Sequence, residues 1–179
     1  MAQNVLIPNA IAAQNVDAWN RSGVASTNVD NGNIVILSAL SSTAGEGEVW
    51  TALTPSTSNG LTGVWMVYQP ELVETGEKYR GLDPDPRNFY VPDGKVFSCF
   101  KPQLGDIVTM TADGIAGTKS TNTFANATDS TGGLRPVWGA TQTSSVFSMK
   151  LIETTYISIG SGAIDSQRVT AYKFQVVGL

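Results

Sequence analysis

Reaction chemistry near neutral pH usually starts from an imidazole or a thiolate, and this sequence carries no histidine and a single cysteine. Without histidine the commonest general base and metal ligand are missing, and so is every Ser-His or Cys-His nucleophile arrangement. One thiol cannot supply the ligands of a structural zinc site without a carboxylate cage. Cys99 lies in the apolar run Val96-Phe97-Ser98-Cys99-Phe100, where it reads as a small buried core residue and not as an activated thiol. No phosphate-cradling Gly-rich loop and no dinucleotide fingerprint sits between a strand and a helix. The chain is read as non-enzymatic, with no catalytic, cofactor-binding or metal-binding residues.

Two groups of side chains remain for weighing. Asp83-Pro84-Asp85-Pro86-Arg87, with Glu71, Glu74 and Glu77 nearby, gathers carboxylates that could perform acid and base steps or hold a calcium ion. The segment lacks the glycine and regular alternation of a calcium loop, and proline on both sides of Asp85 describes a rigid, solvated charged turn. Trp19, Trp50, Trp65 and Trp138, with Tyr68, Tyr79 and Tyr90, could line a carbohydrate platform or form an interface hot spot. Trp50 and Trp65 fall inside strand-like runs and read as core or sheet-face residues, whereas Trp19 and Trp138 fall in irregular segments and are the candidates for contact with a partner.

The scaffold for these residues is poor in charge. Of 179 residues, 41% are hydrophobic and only 15% charged, against about a quarter charged in an average soluble protein. Ser, Thr, Asn and Gln must therefore dress the surface, and few ionic groups have to be desolvated when two such faces meet. A formal charge of −4 argues against nucleic acid, whose phosphates are neutralised by clustered Lys and Arg. No stretch approaches the roughly 18 consecutive apolar residues of a membrane span, and residues 1–15 lack the basic and apolar parts of a secretory signal.

Apolar runs alternate with turn signals along the chain. Residues 1–28 form an N-terminal arm or edge segment, whose Val5, Leu6, Ile7 and Ile11 either pair as a first strand or need a partner surface for their burial. A short helix over residues 11–19 is a weak option. The turn Asp30-Asn31-Gly32-Asn33 launches Ile34-Val35-Ile36-Leu37, and runs at residues 48–53 and 64–68 follow, three strands that suggest a meander. Further strands are predicted at residues 96–100, 107–111, 146–151, 154–159 and 169–176. Phe147, Met149 and Leu151 share one face, as do Thr170, Tyr172, Phe174 and Val176. Long surface loops are expected at about residues 69–93 and 117–143, the second being a functional loop or a set of weak polar edge strands. The reading is all-β: an antiparallel β-sandwich or barrel-like domain over residues 29–179 with an extended N-terminal arm and long loops.

The opening Met1-Ala2-Gln3-Asn4-Val5-Leu6-Ile7, then Asn15-Val16, Val29-Asp30-Asn31-Gly32-Asn33-Ile34-Val35 and the closing Tyr172-Lys173-Phe174-Gln175-Val176 together resemble head decoration, or cement, proteins of tailed bacteriophages. The resemblance is general over most of the chain and strongest at residues 29–37. It implies a virion structural protein made in the bacterial cytoplasm and bound in many copies to the outside of the capsid. Its partners would be the major capsid protein and other copies of itself, as dimer or trimer, with Val5, Leu6, Ile7, Ile11, Trp19 and Trp138 as the contact residues. A phage tail or fibre component and a carbohydrate-binding module are the alternatives.

Overall fold

The computed structural model describes residues 4–42, 47–69, 86–129, 132–159 and 167–179. The strands are β1 (Leu6–Ala10), β2 (Asn20–Ala25), β3 (Ile34–Leu40), β4 (Val49–Leu53), β5 (Trp65–Val67), β6 (Val96–Phe100), β7 (Ile107–Thr111), β8 (Phe124–Asn126), β9 (Val137–Gly139), β10 (Ser148–Ile159) and β11 (Gln167–Gly178). Helical structure among the described residues is confined to short 3-10 turns. The protein is all-β.

Two sheets share the strands. β1-β7-β11-β10-β8-β9 form a six-stranded sheet, antiparallel throughout. β2-β4-β3-β5-β6 close into a five-stranded barrel, in which β2 and β4 run parallel and the other neighbours antiparallel.

The barrel runs read as continuous apolar pairs because both of their faces are covered. Val35, Val67 and Cys99 point into the barrel, where they meet Val29, Phe89, Val91 and Phe97. Their neighbours Ile34, Met66 and Phe100 point the other way, into a second core made with Leu6, Val108, Met110, Phe147, Met149 and Phe174 of the sheet. Successive residues of one strand thus serve two cores, which binds barrel and sheet into one body. Each of these large side chains stabilises the fold by roughly 1.5–3 kcal/mol through burial.

Several expectations are corrected. Residues 11–19 form no helix but two 3-10 turns, Ala12–Asn15 and Asp17–Trp19, since no apolar stripe of helical period supports a longer one. β3, β4 and β5 form no meander: β3 lies between β4 and β5, and β4 takes β2 as its other neighbour. The runs at residues 146–151 and 154–159 belong to one strand, β10, which is bent by an irregularity between Leu151 and Glu153. The polar stretch 117–143 contains the short strands β8 and β9, and its end is fixed by buried Asn126, which donates to Thr141 O at 3.1 Å and accepts from Ser148 Oγ at 2.8 Å. Of the loop expected at 69–93, residues 70–85 lie outside the described residues; beyond them Phe89 and Val91 return to the barrel core.

Candidate functional site

The N-terminal residues expected to seek a partner are covered by the chain itself. β1 pairs with β7, Leu6 opposite Met110 and Pro8 opposite Val108, and as a sheet edge it tolerates the proline. Val5, Leu6 and Ile11 are buried and Ile7 is half-buried. Of the two readings of this segment, the structure shows the edge strand and not an arm awaiting a partner surface: β1 pairs with β7, and Leu6 shares the core of Val108 and Met110. Trp138 is likewise buried, edge-on to Tyr172 at 5.2 Å and tilted against Phe174 at 5.5 Å. Trp19 packs half-buried against the same core.

A buried polar hub holds β1 in place. The Asn4 backbone N–H donates to Asp30 Oδ2 at 2.7 Å, and Asn4 Nδ2 donates to Asn31 O at 2.6 Å. Asn31 in turn exchanges hydrogen bonds with the Gln69 backbone, at 3.0 and 2.8 Å. Gly32 at φ +77° and Gly114 make room for the Asn4 side chain, because a Cβ at either position would lie 2.4–2.5 Å from its atoms. The turn Asp30-Asn31-Gly32-Asn33 is thus the joint between the sheet and the barrel.

Two concavities carry mixed chemistry. One, of about 240 Å³, is lined by Asp30, Arg87, Phe89, Tyr90, Leu134 and Arg135 among others. Arg87 donates to Gln167 Oε1 at 3.0 Å and Arg135 to Asp113 O at 3.3 Å, while the Asp30 carboxylate accepts from the Asn4 and Asn31 N–H groups. This wall can hold a small polar group by hydrogen bonds and offers no thiol or imidazole. The other, of about 490 Å³, runs past Trp19, Trp65, Arg21, Lys101 and Gln103. The Arg21 guanidinium lies 5.9 Å from the Trp65 ring centroid, so indole faces and cations stand together there. Trp50 and Trp65 are half-buried on strands β4 and β5.

Cys99 is buried and donates to Arg21 O at 3.4 Å. Burial pushes its thiol up to about 12, with Arg21 pulling weakly the other way, so it is held as the neutral thiol. Among the described residues no three His, Cys, Asp or Glu side chains converge as metal ligands, and no helix of the described residues is long and apolar enough to cross a membrane. The Glu71, Glu74, Glu77, Asp83 and Asp85 cluster lies outside the described residues.

One exposed apolar feature was not singled out by the sequence pattern. β8 accompanies β10 only at Ser148–Lys150, with one further bond from Leu151 N to Thr123 O at 2.8 Å. β7 accompanies β11 only from Ala171 to Gln175. From Glu153 opposite Lys173 to Thr155 opposite Ala171, β10 keeps β11 alone as its neighbour while β11 still pairs with β7; from Tyr156 opposite Thr170 out to Ile159 opposite Gln167, β10 and β11 pair with each other alone among the described strands. The result, among the described residues, is a ribbon whose β10 edge is unpaired from Ile152 to Ile159 and whose β11 edge is unpaired at residues 167–170. Ile152 and Tyr156 are each 51% exposed on it, and the Arg168 guanidinium lies 3.9 Å over the Tyr156 ring. The signal for it was the length of the β-branched run 151–159, read earlier as two strands instead of one.

No protein-family profile matches the chain, and neither a curated protein nor a solved structure does.

Proposed function

We propose that this chain is a virion structural protein that decorates the outside of a tailed-phage head, binding the major capsid protein in many copies and stabilising the shell by protein–protein contacts. The observation that carries this reading is the β10–β11 ribbon, whose β10 edge is unpaired among the described residues and which, with exposed Ile152 and Tyr156, forms a surface of the kind that folded chains use for docking. The low charge of the chain supports it too, since such faces meet with little desolvation. The ribbon takes over the role that the sequence reading gave to the N-terminal arm. Many weak contacts of this type hold firmly through avidity, and the chain would be assembled in the bacterial cytoplasm and end on the capsid exterior.

Mass spectrometry of particles purified from the phage that encodes the chain tests the proposal. The expected result is a copy number comparable to that of the major capsid protein, with an antibody to the chain labelling tailless heads on their outer surface. Absence from purified particles sinks the proposal, and labelling of tails alone moves the chain to a tail or fibre. The Trp19 and Trp65 groove with Arg21, Lys101 and Gln103 favours a second reading, a carbohydrate-binding module, for which saturable binding on a glycan array is the test.

A further inference from the structure

We infer that the chain forms a two-fold dimer by pairing the unpaired edge of β10 with the same edge of a second copy, antiparallel, with the axis through Thr155. The inference goes beyond the capsid reading and does not depend on it. An edge that presents a row of backbone N–H and C=O groups is recognised by one kind of occupant, an extended strand that returns the same row. Natural edges that must stay single carry lysine, proline or inward-pointing charges. The run Leu151-Ile152-Glu153-Thr154-Thr155-Tyr156-Ile157-Ser158-Ile159 has no proline and no lysine, and its one charge is Glu153. It is thus built to be covered.

The second copy fits this edge in both register and charge. The unpaired edge begins after Leu151, where the bond to Thr123 ends, and the described strand closes at Ile159. A two-fold axis at Thr155 superposes residues 152–158 of it on themselves, Ile152 opposite Ser158. In that register Tyr156 faces Thr154 of the second copy twice over, an aromatic and β-branched pairing that favours strand association. Glu153 faces Ile157 and stays away from the other Glu153, which an axis at residue 153 would set directly opposite. Each Glu153 keeps Lys173 of its own chain as its cross-strand neighbour. The sheets of two copies become continuous, an isologous contact that closes on itself, while the Ile152 and Tyr156 side chains, which stand off the faces of the sheet and not in its plane, are left on a surface that can dock.

The geometry makes a register-specific test available. Residues on the axis of an antiparallel pair have their Cα atoms about 4.5–5.5 Å apart, within disulfide reach. Residue 158 of the two copies would be roughly 20 Å apart, six strand residues at about 3.3 Å each. The full chain is prepared as wild type, Thr155→Cys and Ser158→Cys, and each is oxidised with diamide and read on a non-reducing gel, while sedimentation velocity follows the wild type over a concentration series. The inference expects a concentration-dependent dimer, with Thr155→Cys cross-linking about tenfold faster than Ser158→Cys and wild type not at all. Ile157→Lys, which places a lysine in the pairing edge, should remain folded by circular dichroism and sediment as monomer. Equal cross-linking at both positions, a wild-type monomer at every concentration, or a folded Ile157→Lys variant that still dimerises overturns it. A monomeric result leaves the virion reading standing, because presence in particles is measured separately.

Discussion

Thr111 Oγ1 donates a 2.8 Å hydrogen bond to Asn4 Oδ1 and accepts one of 3.0 Å from the Val5 backbone N–H, joining residues 107 and 106 positions apart in the chain. Both residues are 1% exposed. Removing either partner leaves buried polar atoms without their bonds, which costs about 1–3 kcal/mol for each orphaned group. Asn4→Ala is therefore expected to lower the urea-unfolding free energy by about 2–3 kcal/mol. A change smaller than about 0.5 kcal/mol, the range of ordinary surface substitutions, would show that the hub is not a joint.

Gly114→Ala tests the same joint from its walls. The new Cβ would lie 2.5 Å from Asn4 side-chain atoms, so the variant should be destabilised in the wild-type background. In an Asn4→Ala background the clash disappears, and the two substitutions should combine to less than their sum in a double-mutant cycle. Simple additivity would contradict the packing.

Removal of residues 1–10 distinguishes a strand from a free arm. β1 covers Val108 and Met110, both 0% exposed in the intact chain, so the truncated protein should lose cooperative unfolding in circular dichroism and tend to aggregate. A truncated chain that melts like the full one would return the segment to the status of an arm.

The Cys99 thiol gives the stability a defined pH dependence. Its pKa is raised from 9.0 to about 12 by burial, so the unfolded chain loses this proton first. The stabilising contribution is complete below pH 9 and falls as pH climbs from 9 toward 12, by about 1.4 kcal/mol per pH unit. Urea titrations of wild type and Cys99→Ala between pH 8 and 11 should converge as pH rises, because the variant lacks this dependence. Parallel curves would show that the thiol is not held neutral by the core.

Trp138 anchors β9 through its ring contacts with Tyr172 and Phe174. Trp138→Ala should cost about 3–5 kcal/mol, and Trp138→Phe, which keeps an aromatic face, markedly less, as read by thermal unfolding. A neutral alanine variant would place the indole outside the core and revive its candidacy as a partner contact.

Strand content was legible because each barrel run is a β-branched or aromatic block set off by a turn. Ile34-Val35, Met66-Val67 and Cys99-Phe100 declare burial on both faces, but a block buried on both faces does not declare its neighbours, and so β3's central place between β4 and β5 was hidden. β2, Asn20-Arg21-Ser22-Gly23-Val24-Ala25, was missed because its residues carry little β-propensity; what makes it a strand is its ladders to β4 and β6. Trp19 and Trp138 sit among polar neighbours, which looked like exposure. Trp138 is buried by partners distant in sequence, Tyr172 and Phe174, and Trp19 is half-covered by the same core; no local window contains these contacts. The ribbon was illegible for the opposite reason: its alternation resembles that of any sheet strand, and only the early ends of β7 and β8 leave it bare.

The placement of β1 against β7 also dictates when the molecule can be finished. The first strand cannot find its partner until more than a hundred further residues have left the ribosome, as the Asn4–Thr111 separation of 107 records. β7's other neighbour, β11, arrives later still. Contacts so remote in sequence make for slow folding, so newly made chains carry Leu6, Val108 and Met110 uncovered until β1, β7 and β11 have all emerged and found one another.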